Sequence, residues 1–249
     1  MTRKSLRTKR IFSIILSLAV ALTMMPMSAL AADGTSTVEN AVAIDGAEKY
    51  YLGLQDAFAG VEDHGTVTML KPLGDKMISF CKDTNEQPVD KTVTLMMNGH
   101  SMSFEGASPL HIQSGKLIIG DEATISQTAS AAVPAVWVDN HEEGKDRGTL
   151  EFKGKANLTG GLLIQNWGKL EGGLKEGTII TSNGTYSVSV ERSTETYDNV
   201  LGLLGDGLAF AKYDESAGNK AGAIVDGSVK KLTEDVIVVA HTHSIEEGQ

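Results

Sequence analysis

Cys81 is the only cysteine in the 249 residues. No disulfide can form within the chain, so stability has to come from a packed core. A reactive thiolate needs a basic neighbour to lower its pKa, and only Lys82 is close in sequence, so Cys81 reads as a buried structural thiol. Basic residues are also scarce, 22 Lys and Arg against 32 Asp and Glu, for a net charge of −10. Such a surface repels phosphate backbones and disfavours nucleic-acid binding; polyanionic glycans could approach only with divalent cations between. Catalytic signatures are missing too. There is no G-x-S-x-G, no phosphate-cradling glycine loop and no Cys/His metal constellation.

Only one long apolar run stands out, at residues 11–25. It follows Arg3, Lys4, Arg7, Lys9 and Arg10 and leads into Ser28-Ala29-Leu30-Ala31-Ala32. Basic, apolar and then small residues is the layout of a cleaved secretory signal peptide, with cleavage expected after Ala31. The run is short for a spanning helix, which needs roughly 20 residues. The signal takes five of the 22 basic residues and no acid, leaving 17 against 32 and a net charge of −15. Export without a stable membrane span is the expectation. Asn157-Leu158-Thr159 and Asn183-Gly184-Thr185 match the glycosylation acceptor pattern but carry little weight behind a signal of bacterial appearance.

Short alternating runs separated by Gly, Asn and Asp fill residues 64–190, with no long helical period. They repeat. Apolar pairs Leu110/Ile112, Val136/Val138, Leu162/Ile164 and Val188/Val190 start at a constant spacing of 26 residues. Ser114, Asn140 and Asn166 follow at one offset. A glycine then introduces Leu117/Ile119, Leu150/Phe152 and, more weakly, Leu170, and a third position holds Ile125, Leu158 and Ile179. "TVTLMMNGHSMSF" shows the same grammar with Val93/Leu95, Asn98-Gly99 and Met102/Phe104. Three short strands per repeat suit one coil of a single-stranded parallel β-helix, a solenoid whose coils must stack to bury their apolar residues. An antiparallel sandwich would make the common spacing accidental. Asn and Gly at the corners tolerate left-handed backbone.

A solenoid needs covers at both ends. "GLQDAFAGV" places Leu54, Ala57, Phe58 and Val61 on one face of a short helix with Gly53 as N-cap. "STETYDNVLGLLGDG" predicts a second helix with Val200, Leu203 and Leu204 at helical spacing, stopped by Gly205. A hairpin over 208–225 and a last strand in "EDVIVVAH" follow. The expected organisation is a signal peptide at 1–31, a strand and helix cap at 32–63, β-helical repeats at 64–192, and a small α+β cap at 193–249.

"YYLGLQDAFAGVEDHGTVTMLKPL", "TVTLMMNGHSMSF", "PLHIQSGKLIIGD" and "VIVVAHTHSIEEGQ" resemble segments of exported surface proteins of Gram-positive gut anaerobes. Those proteins are similar to the pectate-lyase-like right-handed β-helix superfamily. The resemblance covers roughly residues 50–190. It implies the right-handed fold and a surface location, and in such proteins further modules or a wall anchor often come next; no LPxTG-like signal or second apolar span is present here. It does not imply one activity, because function lives in the site.

Superfamily hydrolases use clustered aspartates in motifs resembling Asn-Thr-Asp, Asp-Asp, Gly-His-Gly and Arg-Ile-Lys, and none occurs here. Superfamily lyases use calcium-binding acids and an arginine base; Asp121, Glu122, Asp139, Glu142, Glu143, Asp146 and Arg147 are the candidates, mostly in turns. His241 and His243 could share one side of a strand but lack a third ligand, and His64 and His100 sit beside turn glycines. The seven-residue insertion "HEEGKDR" extends one corner and reads as a soluble turn.

The repeat does single out one face. With Val136 and Val138 inward, Trp137 points outward, and its equivalents are His111, Leu163 and Ser189. Two residues on lie Gln113, Asp139, Gln165 and Glu191. An exposed Trp137 beside His111, Gln113, Asp139 and Gln165 would form a sugar platform, the ring on the C–H face and the polar groups on hydroxyls. The resemblance implies the same, since the corresponding groove binds substrate in the pectin-cleaving relatives. The alternative is that the helix around Val200 covers Trp137 and Leu163; Trp167 reads as corner packing. The expected function is a secreted or surface-associated binding or structural module without catalysis or a required cofactor, with calcium the only candidate ion. Its ligand would be carbohydrate or a host or neighbouring surface. A polysaccharide lyase or glycoside hydrolase, and a spacer or fragment of a larger adhesin, are the alternatives.

Overall fold

The computed structural model describes residues 41–74, 78–80, 90–105, 109–128, 133–139, 148–191, 196–218 and 220–241. The signal segment at 1–31, Cys81, Asn140, the "HEEGKDR" insertion with Glu142, Glu143, Asp146 and Arg147, and His243 lie outside the described residues.

The chain is mostly β, with parallel strands gathered in three sheets. The first holds β1 (Ala43–Asp45), β2 (Tyr50–Tyr51), β3 (Gly65–Met69), β6 (Thr92–Met96), β9 (Lys116–Ile119), β12 (Thr149–Phe152) and β15 (Lys169–Glu171). The second runs from β4 (Leu73–Gly74) through β7 (Met102–Phe104), β10 (Ala123–Gln127), β13 (Ala156–Thr159) and β16 (Ile179–Thr181). It continues into β21 (Val236–Ala240), β18 (Leu208–Asp214) and β19 (Lys220–Ile224). The third runs from β5 (Ile78–Phe80) through β8 (Leu110–Ile112), β11 (Val136–Val138), β14 (Leu162–Gln165) and β17 (Val188–Glu191) to β20 (Lys231–Leu232). From β3 to β17, each strand pairs in parallel with the strand three further on. The chain therefore visits the three sheets in rotation.

Rotation aligns like with like. In the third sheet Ile78, Leu110, Val136, Leu162 and Val188 stand in one register row, and Phe80, Ile112, Val138, Ile164 and Val190 in the next. All ten are buried. The first sheet contributes Val67, Leu95, Ile119 and Phe152, and the second Met102, Ile125, Leu158 and Ile180. These residues belong to one apolar cluster. Each large apolar side chain so buried contributes about 1.5–3 kcal/mol, which is how a chain without disulfides holds together.

Two expectations about the repeat are corrected. The third inward position of the repeat is Ile180, fully buried opposite Leu158, and not Ile179. A one-residue slip exchanges the two faces of a strand. The constant spacing of 26 is also local to the third sheet. It survives because turn lengths compensate: 11 residues separate Ile125 from Val136, 4 separate Leu158 from Leu162, and 8 separate Ile180 from Val188. The shortest corner needs Gly160 and Gly161, at φ +108° and +93°, and a Cβ on Gly160 would stand 2.5 Å from the Gln127 carbonyl oxygen. The Asn corners take the left-handed backbone too, Asn98 at φ +52° and Asn166 at +54°.

The helix α1 (Leu54–Gly60) forms with Gly53 as N-cap and buries Leu54, Ala57 and Phe58. Phe58 meets Phe80 edge to face at 5.2 Å, which seats the helix on β5. At the other end the predicted second helix shrinks to a 3-10 turn, Val200–Leu203. Asn199 caps it, Gly202 weakens it, and Leu204 leaves it to bridge Leu174. Val200 and Leu203 join the core, and the Leu174 N–H donates to the Leu203 carbonyl. Among the described residues the turn packs on β17. The hairpin β18–β19 forms as read, but β21 inserts between β16 and β18. No helix among the described residues is long and apolar enough to cross a membrane.

Candidate functional site

The outward rows of the third sheet are aligned by the same pairing that aligns its core. Ser79, His111, Trp137, Leu163 and Ser189 stand in one row. Parallel neighbours are about 4.8 Å apart, close enough for aromatic rings to stack. The His111 imidazole does lie on the Trp137 indole, centroids 4.3 Å apart and planes within 15°. That contact occupies one face of the indole, which closes that face to a stacked sugar.

The row is not an open platform. His111 and Leu163 are each 7% exposed and Ser189 is fully buried, while Trp137 is half-buried. In the next row Gln113, Gln165 and Glu191 are half-buried and Asp139 is 0% exposed. Asp139 Oδ1 accepts a hydrogen bond from Asn166 Nδ2 at 2.6 Å, and its Oδ2 lies 4.0 Å from His111 Nε2. Its own N–H donates to the Ile112 carbonyl, which ties the end of β11 to β8. Trp137 Nε1 is buried and has no hydrogen-bond partner among the described residues. A buried donor without a partner costs about 1–3 kcal/mol, so this atom marks where an acceptor would be gained.

His111, Trp137 and Asp139 thus come together. Gln113 and Gln165 flank them in the adjoining row. The partner missed from sequence is Asn166, whose shared offset with Ser114 and Asn140 marks only a corner. Nearer the end of the face, Lys231 sits 5.3 Å over the Tyr186 ring. Burial, with the Glu191 charge adding to it, pushes the Tyr186 phenol up to about 12.

The outward side of the first sheet is built differently. Lys116 on β9 bonds Glu151 on β12 at 2.6 Å and Glu171 on β15 at 2.7 Å. Lys153 completes a pair with Glu151, and Lys169 lies 3.5 Å from Glu171. Burial works against both the Lys116 ammonium and the Glu151 carboxylate. Their mutual hydrogen bonds outweigh it and hold Lys116 above, and Glu151 below, its usual range. The hydrogen bond from Lys116 likewise holds Glu171 low, against a smaller effect of burial.

The other described candidate acids are engaged elsewhere. Asp121 accepts from the N–H groups of Met97 and Asn98 on the neighbouring corner, and Glu122 pairs with Lys155. Asn183 holds its own turn by accepting from the Thr185 and Tyr186 N–H groups. His64 is an exposed corner residue at φ +59°, beside Asp63. Among the described residues no three His, Cys, Asp or Glu side chains gather in a way that could hold a metal ion. No protein-family model matches the chain, and no curated protein or solved structure matches it.

Proposed function

We propose that this chain is an exported, right-handed parallel β-helical module of a cell surface that binds without catalysing. Carbohydrate is its ligand class and the rim of Trp137 its contact point. The rotation of strands through three sheets, with apolar residues in unbroken rows, supports the coiled architecture. The basic, apolar and small-residue order of the first 31 residues supports export. The single observation behind the ligand reading is a half-buried Trp137 whose buried Nε1 has no hydrogen-bond partner among the described residues, flanked by half-buried Gln113 and Gln165. A sugar hydroxyl that displaces what covers Nε1 can accept from the indole while the amides bond its neighbours.

A glycan array with the purified chain, run with and without calcium, tests this. Binding is expected, falling about tenfold or more for Trp137→Ala and also for Trp137→Phe, which keeps a ring but loses the donor. No signal above background for the parent protein would overturn the carbohydrate reading and favour the spacer. Burial of His111, Leu163, Ser189 and Asp139 is the specific observation on the spacer's side. Release of unsaturated or reducing sugar would replace both with the enzyme reading.

A further inference from the structure

Two Asn-Gly pairs lie in turns of the chain, Asn98-Gly99 and Asn183-Gly184. An asparagine amide carbon can be attacked by the backbone nitrogen of the next residue, and a glycine there puts no side chain in the way. Holding two reacting groups in contact speeds their reaction by several orders of magnitude. What decides between the two pairs is therefore how each turn holds its amide.

At Asn98 the amide is tied away from Gly99. Its Nδ2 donates to the Met69 carbonyl at 3.3 Å, the Asn98 N–H donates to Asp121 Oδ2 at 2.7 Å, and the backbone is left-handed. At Asn183 the side chain folds over the following residues instead. Its Oδ1 accepts from the Thr185 N–H at 2.9 Å and from the Tyr186 N–H at 3.0 Å. Both bonds reach past Gly184, so the amide carbon is drawn over the Gly184 nitrogen. The Gly184 N–H donates to Ser182 Oγ at 3.0 Å, an acceptor for the proton that this nitrogen must lose. Asn183 Nδ2, the leaving group, lies beside the Tyr186 hydroxyl with no hydrogen bond of good geometry to hold it. Gly184 and Thr185 are exposed, so water reaches the turn.

We infer that Asn183 is a site of spontaneous covalent modification, cyclising onto Gly184 and opening to aspartate or isoaspartate. The Gly184 nitrogen adds to Asn183 Cγ, and the charge that develops on Oδ1 meets the two N–H groups already bonded to it, as in an oxyanion hole. The N–Cγ bond forms, the Cγ–Nδ2 bond breaks, and the proton lost from the Gly184 nitrogen leaves on ammonia. Water then opens one of the two carbonyl–nitrogen bonds of the cyclic imide. The sum is amide plus water giving acid plus ammonia, with no oxidant or reductant. Opening to aspartate keeps an acceptor for Thr185 and Tyr186. Opening to isoaspartate adds one atom to the backbone of the turn that leads from β16 into β17, where the Asn183 N–H donates to the Tyr186 carbonyl.

Peptide mapping by mass spectrometry on the purified chain, stored at neutral pH and body temperature over several weeks, tests the inference. Asn183 is expected to gain about 1 Da, divided between aspartate and isoaspartate, about tenfold or more faster than Asn98 in the same sample. In strong urea the two rates should converge, because only the folded turns distinguish the pairs. Ser182→Ala should slow Asn183 about threefold and leave Asn98 unchanged. Asn98 reacting as fast as Asn183 in the folded protein, a gap that persists in urea, or a Ser182→Ala rate equal to the parent's would each overturn the inference. The comparison of two sites in one molecule needs no variant, so it stands whether or not Ser182→Ala folds.

Discussion

The outward sides of the first and third sheets solve one problem in two ways. Both place side chains about 4.8 Å apart across parallel strands, and both carry charge. On the first sheet Lys116 is shared between Glu151 and Glu171, and every charge named there has an opposite within 3.5 Å. On the third sheet a carboxylate is fully buried beside an imidazole that is itself stacked on an indole, and the indole donor has no partner among the described residues. The first arrangement is self-sufficient. The second leaves the indole N–H without a hydrogen-bond partner among the described residues.

The contrast predicts that the third-sheet face is the more costly to disturb. Asp139→Ala should lower unfolding free energy by about 2 kcal/mol, because the half-buried Asn166 amide loses its acceptor and the fully buried Asp139 side chain leaves a void. Urea denaturation measures it, and a loss no larger than that of Glu151→Ala would erase the distinction. Glu151→Ala should cost about 1 kcal/mol, since Lys116 keeps Glu171 as a partner, and the cost should shrink in about 1 M salt.

The smallest effect is the pH dependence of the ion-paired face. Glu151 and Glu171 have carboxyls held below their ordinary 4.5, so their contribution is complete above that value and is lost as pH falls through the lowered range. Lys116 is held above its ordinary 10.5, so its contribution is complete below that value and is lost as pH rises through the raised one. The network should be constant between 4.5 and 10.5. Glu151→Gln should flatten the acid limb of stability against pH, and an unchanged limb would show that the pairing holds nothing.

Much of the third sheet was legible in the residues. Spacing of 26 put Leu110, Val136, Leu162 and Val188 in one row, and the register agrees residue for residue. Trp137 fell beside His111, Leu163 and Ser189 for the same reason. Alternation is local, so it tells inward from outward on any strand whose ends are clear. It failed at Ile179 and Ile180, two adjacent isoleucines on a short strand, where either phase fits the pattern. It failed also at the helix over Val200, because helical spacing in four residues with a glycine among them is weak against a bridge to Leu174.

The groups that complete strand edges were not legible at all. The Gln55 side chain bonds both backbone groups of Ser79 on β5, and the Tyr197 hydroxyl both of Leu170 on β15. Nothing near either in sequence announces a partner 24 or 27 residues away. Asp139 is similar. Its outward direction could be read from strand alternation, but outward on a strand is not the same as exposed.

The sequence alone determined the acidity of the chain, the absence of disulfides, the strand period and the identity of most inward residues. These follow from composition and from the two-residue repeat of an extended backbone. Only the tertiary structure decided which outward residues are covered, which charges find partners and which side chains complete a sheet edge. Those outcomes depend on segments distant in sequence arriving at the same place, and on turn lengths whose compensation shows only when the strands are laid side by side.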